Sequence, residues 1–350
     1  MEIFLSFISI LIILVLIVFA CVLFTNAVEH LGEKLNLSDG AVGSILAAIG
    51  TALPETIVPL VAILGAYFTH SDMSKAQDIG IGAILGAPFL LSTLAFFVTG
   101  LAVIIFTKSG RRTCEMPVNT VVVFRDLHYF LLGYTIAILS SFIPFKPIKL
   151  IIVGILPVIY LVYAVKTIKA ASKEIEGDHE ELAALYLTRY IKTPKALQLF
   201  FILLQLLIGL AGIIILAYVF VEQIKFLSEY LKLNPLILSL LIIPIATELP
   251  EKFNSVIWIR AKKDTLALGN ITGSMVFQSC IATIAGLALT PWILNADALA
   301  NVIIVYLSVG VLYLNIVRNK GILKPSALLT GGLFYVIYLI YVIFRVFNNY

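Results

Sequence analysis

Apolar runs of 18 or more residues recur from one end of the chain to the other, separated by short polar breaks. Each is long enough to cross a bilayer as a helix. The pattern predicts ten spans, at roughly residues 3–26, 38–68, 77–106, 127–144, 148–168, 197–226, 235–259, 265–289, 299–316 and 325–346. The longest polar stretch, residues 166–195, carries both charge signs and predicts a short helix outside the membrane. It divides the chain into a first half (1–168), a linker (169–195) and a second half (196–350), with five spans in each half.

Composition agrees. The chain is 61% hydrophobic and only 13% charged, about half the charged share of a soluble domain. The expected fold class is therefore an all-α polytopic membrane protein. The first run begins Met-Glu and lacks a basic n-region and a small-residue cleavage site, so it reads as a retained helix and not a signal peptide. Basic residues set the orientation. With the N-terminus outside, 17 of the 24 Lys and Arg fall in inner loops, as the positive-inside rule requires. Both ends then face out and the 169–195 linker faces the cytoplasm. Cys21, Cys114 and Cys280 are far apart, and the four histidines have no ligand spacing, so neither a disulfide nor a zinc pattern is present. No nucleotide-binding loop or Ser/His/Asp set stands out, which argues against an enzyme.

An internal repeat gives the halves a relationship. Residues 23–55 lie over 219–251 without a gap, and the two stretches end in "TALPE" and "TELPE". Further on, "GIGAILGAPF" (80–89) lies over "ALGNITGSMV" (267–276), pairing Gly82 with Gly269 and Gly86 with Gly273. Five spans is an odd number, so the second half enters the membrane from the opposite side. Inverted repeats of this kind are built around midplane substrate sites in secondary transporters.

Glu55 and Glu251 sit in these apolar runs, where a charge costs at least ~2.5 kcal/mol unless it faces a cavity, a partner or an ion. Pro54 and Pro250 free the carbonyls of Gly50 and Ala246, and those carbonyls need a partner. Thr51 and Thr247 lie one helical turn before the glutamates, on the same face. Ser274 and Gln278 follow the second glycine pair at one-turn spacing and can add oxygens. An all-oxygen set suits hard cations such as Ca²⁺ and Na⁺. Competing readings of these charges are an ion pair between Glu55 and Lys252, and, for Glu248, a lid over a water-filled entrance or a partner for Lys252.

"AAIGTALPE", "IPIATELPE" and "ALGNITGS" together resemble the alpha repeats of the sodium/calcium exchanger family, within the cation/calcium antiporter superfamily. Family repeats read approximately GTSLPE followed by GNxxGSNxxN or GNxxGSNxxD. The resemblance spans the whole chain and implies ten helices in two inverted five-helix repeats and an antiporter that moves Ca²⁺ against Na⁺ by alternating access. It implies that Glu55 and Glu251 hold the central divalent ion, that Thr51 and Thr247 contribute carbonyls, and that Ser274 is a further ligand. The first half departs from the pattern: Ala83, Ala87 and Leu91 stand where the family has polar residues. In the second half Gln278 takes the acid or amide position, and Glu248 replaces a serine whose first-half counterpart is Ala52.

Two other functions compete. Glu248 could exchange a proton, giving a cation/H⁺ antiporter. The apolar first-half motif is also compatible with a non-transporting scaffold or receptor descended from an exchanger. The expected metal set is Glu55, Glu251, Thr51, Thr247, Glu248, Ser274 and Gln278. The expected partners are inorganic cations and the lipid bilayer, with no nucleic acid and no resident cofactor.

Overall fold

The structure is a computed structural model. It describes residues 2–34, 47–70, 72–171, 184–189, 194, 197–231 and 234–348. Within these ranges the side chains of 47–54, 246, 247, 249–251, 253 and 254, among others, lie outside the description.

Helix α1 (Glu2–Lys34) is followed by α2 (Ala47–Thr69). Helix α3 (Met73–Leu90) passes through a π segment, Leu91–Ala95, into α4 (Phe96–Lys108). Asp72 caps α3 by accepting from the N–H groups of Ser74 (3.1 Å) and Lys75 (3.2 Å). Strand β1 (Met116–Pro117), α5 (Thr120–Leu139) and α6 (Lys146–Ala171) complete the first half. The second half holds α7 (Gln198–Leu231), α8 (Pro235–Thr247), α9 (Leu249–Arg260) and α10 (Asp264–Phe277). A second π segment, Gln278–Ala282, joins α10 to α11 (Thr283–Leu289). Helix α12 (Ala296–Arg318), strand β2 (Ile322–Leu323) and α13 (Pro325–Asn348) follow.

Eight of these segments are long and apolar enough to cross a membrane, and the second and seventh expected spans appear as shorter apolar helices, Glu55–Thr69 and Pro235–Ile245. Large apolar side chains point outward along the rods, among them Leu11 and Phe19 on α1, Ile151 and Leu161 on α6, Leu207 and Ile215 on α7, and Phe344 on α13. A soluble protein would not expose so continuous an apolar surface; a lipid-facing one does.

Three boundaries differ from expectation. Helix α5 starts at Thr120 and not near 127, because Asn119 caps it by accepting from Val121 N–H (3.0 Å), and the polar Arg125 and Asp126 are carried inside the helix. The 235–259 span is not one helix: it breaks at Glu248, so that Pro250 falls in the first turn of α9, where its missing N–H costs nothing. Of the linker, residues 169–171 continue α6 and Tyr186–Thr188 form a single 3₁₀ turn; the predicted helix falls mostly outside the described residues.

The contacts at the rod ends fall into two groups that match alternating crossings. At one end, the turn after α4 meets the α9–α10 turn through Arg112 and Asp264 (2.6 and 2.8 Å), and β1 pairs antiparallel with β2. At the other, Lys75 meets Glu229 (2.5 Å), Lys149 donates to the Pro291 carbonyl (2.5 Å), and Arg345 meets Asp297 (3.1 Å).

The interior has two apolar cores. The larger draws on α3 to α6 and α8 to α13. The smaller joins α1 to α7 and to one face each of α2, α3 and α8. Glycine sets the closeness of α3 and α8: a Cβ at Gly82 would overlap Ser239 and the Leu236 carbonyl, and one at Gly86 would overlap the Leu240 carbonyl. Among the described residues, the matching Gly269 and Gly273 meet only side chains, Tyr163 Oη being 3.3 Å from a Cβ at Gly273.

Candidate cation site between the repeats

The two π segments occupy equivalent places. Leu91 opens one and Gln278 the other, and the offset of 187 residues is the one that pairs Gly82 with Gly269. A π turn widens a helix locally and turns carbonyls out of register. Here the Gln278 carbonyl is taken by Thr283 Oγ1 (2.9 Å) and the Ser92 carbonyl by Ser308 Oγ. Each π segment touches the helix that carries the other: Leu91–Ala95 meets α10, and Gln278–Ala282 meets α3. Helix α2 also reaches the second π segment, α8 and α10. The element bearing the first Pro-Glu motif thus meets the one that opens on Gln278, while α9, which bears the second, packs on α10.

The side chains there are polar and shielded. Glu55 is 3% exposed, Glu248 0%, Ser274 4% and Gln278 1%. Gln278 Nε2 donates to Glu248 Oε1 at 3.0 Å, while Lys252 Nζ stands 3.9 Å from Glu248 Oε2. The Gln278 side-chain amide oxygen Oε1 is buried and accepts no hydrogen bond among the described residues, which leaves it open to a cation or water. Lys252 therefore forms an ion pair with Glu248, as in the partner reading. The backbones of Thr51, Thr247 and Glu251 lie in α2, α8 and α9; their side chains lie outside the described residues.

Around this centre the halves differ. Ala83, Ala87 and Leu91 are all buried and offer only backbone groups. Their counterparts are Asn270, Ser274 and Gln278. Asn270 Nδ2 donates to Ser255 Oγ (3.3 Å), which donates to the Ala267 carbonyl (3.0 Å), tying α9 to α10. Among the described residues no three His, Cys, Asp or Glu side chains form a group able to hold a metal.

Sequence reasoning missed two buried polar features. Asp126 (2% exposed) accepts from Thr272 Oγ1 (2.8 Å) and Tyr163 Oη (3.1 Å), with Arg125 Nε at 3.6 Å. This cluster fixes α10, two residues from Ser274, against α5 and α6. The signal was present in "FRDLHYF", a charge pair inside an apolar span. Asn301 of α12 is fully buried, and neither its Oδ1 nor its Nδ2 has a hydrogen-bond partner among the described residues. An amide in the apolar part of a spanning helix was the available clue.

Apolar rods in two inverted sets, broken or widened where buried carboxylates and amides gather, define a polytopic cation transporter. The family model described as sodium/calcium exchanger protein matches residues 5–169 and 201–347. The chain belongs to the sodium/calcium exchanger family. It is 25% identical over 270 residues to an uncharacterized membrane protein of Methanocaldococcus jannaschii, covering 75% of each chain. It is 24% identical over 286 residues to a protein named as an antiporter, CaxA, of Alkalimonas amylolytica, covering 81% of each. Among solved structures, the H⁺/Ca²⁺ exchanger CAX superposes with a TM-score of 0.72 at 16% identity, over 97% of this chain and 86% of that one. The sodium-calcium exchanger NCX_Mj gives 0.58 at 22% identity, over 96% and 98%. At such identities these two likenesses establish the shared fold. Family and fold together make this chain a cation/Ca²⁺ antiporter.

Proposed function

We propose that the protein exchanges Ca²⁺ for Na⁺ by alternating access at a site between the repeats. The observation that carries the reading is the burial of Glu55 and Gln278 on elements that meet at the second π segment. Glu55 and Glu251 are the principal divalent ligands. The Thr51 and Thr247 carbonyls, Ser274 and Gln278 Oε1 complete an oxygen shell of the kind Ca²⁺ takes. Glu248 lines the same site through Gln278. The separate core holding α1 and α7 supports a moving part distinct from the larger core. The protein is a transporter and not an enzyme, works without a resident cofactor, and has cations and lipid, not nucleic acid, as partners. It lies in the cell membrane with its N-terminus outside, as the basic-residue bias supports.

A second reading keeps the fold and changes the driver. The buried Ala83, Ala87 and Leu91 remove side-chain oxygens that a monovalent metal ion could use, which favours H⁺ as counter-ion with Glu248 as its carrier. The test is Ca²⁺ uptake into proteoliposomes under an imposed Na⁺ or pH gradient. Uptake driven by Na⁺ alone supports the first reading, and uptake driven by pH alone replaces it with the second. Glu55→Gln and Glu251→Gln should each abolish uptake while leaving folded, monodisperse protein. Normal uptake in either variant would overturn the ligand assignment. No uptake in either gradient would favour the third reading, a non-transporting scaffold.

A further inference from the structure

Lys252 is an unexpected residue beside a cation site. It is 8% exposed, one turn beyond the helix break, with its ammonium 3.9 Å from Glu248 Oε2. The other oxygen of Glu248 accepts from Gln278 Nε2. One oxygen of this carboxylate is therefore held by the amide before any ion arrives, and the other faces the ammonium at ion-pair range, beyond hydrogen-bond reach. The repeat sharpens the point. At the offset of 196, Glu248 and Lys252 correspond to Ala52 and Thr56, both neutral, whereas Glu251 corresponds to Glu55. Relative to the first half, the second half has gained one negative and one positive charge, four residues apart on one helix face.

We propose that Lys252 is a built-in counter-charge that cancels Glu248, so that the site presents to its ions the two charges of Glu55 and Glu251, matched to one divalent cation. The inference rests on the reading of Glu55 and Glu251 as divalent ligands. It makes Lys252 a specificity-determining residue. A fixed ammonium holds the place a third positive charge would otherwise take, and it limits the site to one divalent ion or two monovalent ions. Exchange of one for two moves no net charge. An unbalanced buried charge at this range acts strongly on a divalent ion, because screening by water is weak there.

The test is a charge cycle, read by equilibrium ⁴⁵Ca²⁺ binding to purified protein in detergent and by uptake into proteoliposomes at imposed membrane potentials. Glu248→Gln leaves the ammonium unbalanced and should weaken Ca²⁺ binding by roughly tenfold or more. Lys252→Met leaves a third carboxylate unbalanced; it should bind Ca²⁺ tighter than wild type and make uptake depend on potential. The double variant Glu248→Gln with Lys252→Met restores the balance and should return binding to within a few-fold of wild type, with uptake again insensitive to potential. Lys252→Arg keeps the charge and should behave as wild type, which separates charge from packing. If Lys252→Met does not fold, the comparison of Glu248→Gln with the double variant decides alone. A double variant that binds Ca²⁺ no better than Glu248→Gln would show Glu248 to be a direct ligand and overturn the inference while leaving the transport reading intact. Potential-dependent uptake by wild type would also overturn it. Absence of Ca²⁺ binding in wild type would overturn both.

Discussion

Removing Arg112 should loosen the end of the bundle where the α4–α5 connection meets the α9–α10 turn. Its guanidinium makes two parallel hydrogen bonds to Asp264, at 2.6 and 2.8 Å, and both side chains are 2% exposed. It also donates to the carbonyls of Ile259 (3.0 Å), Thr113 (3.0 Å) and Glu115 (3.1 Å). Arg112→Ala leaves the Asp264 carboxylate buried without its counter-ion. Breaking a buried pair from one side costs about 3–5 kcal/mol, and the three orphaned carbonyls push the loss toward the top of that range. Arg112→Lys keeps a charge but cannot span both oxygens, so it should lie between wild type and Arg112→Ala. Arg112→Met with Asp264→Leu removes both charges and should recover most of the loss, because the pair's own desolvation cost disappears with it. Thermal unfolding of purified protein in one detergent, followed by size-exclusion profiles, orders the variants. The reasoning fails if Arg112→Ala melts with wild type, or if the double variant is no more stable than the single one.

Gln278→Leu makes the second half resemble the first at Leu91; losing a hydrogen bond to a carboxylate worth about 1.5–3 kcal/mol should lower Ca²⁺ transport by roughly tenfold or more, and unchanged uptake would remove Gln278 from the site. Gly86→Val drives a side chain into the Leu240 carbonyl and should cost about 1–3 kcal/mol of stability, whereas Gly154→Ala, where a Cβ meets nothing within 4 Å, should melt with wild type. Cys114 is exposed while Cys21 and Cys280 are buried, so a membrane-impermeant maleimide should label native protein only after the cells are opened; labelling of intact cells would invert the topology. Ser172→Cys in a Cys114→Ser background should behave the same way.

The architecture was legible because its determinants repeat along the chain. Apolar runs, basic-loop bias and the paired "TALPE" and "TELPE" motifs are local patterns, and the runs reappear as eight long apolar helices and two shorter ones. What could not be read was where helices yield. Pro54 and Pro250 stand in matching Leu-Pro-Glu triplets, yet the backbone of α2 is helical throughout Ala47–Thr69 while the α8–α9 span breaks at Glu248. The π segments carry no residue signature of their own: one opens on Leu91 and the other on Gln278. Their shared offset shows that the position is kept by the fold, through packing against the partner helix, and not by the side chain that happens to open it. Partner choice was equally invisible, since Lys252 stands one turn from Glu248 and the sequence alone offers Glu55 as well. The asymmetry that results is both architectural and chemical. The helix break at Glu248 occurs only in the second half, and Glu248, Lys252, Asn270, Ser274 and Gln278 gather the added polar groups there.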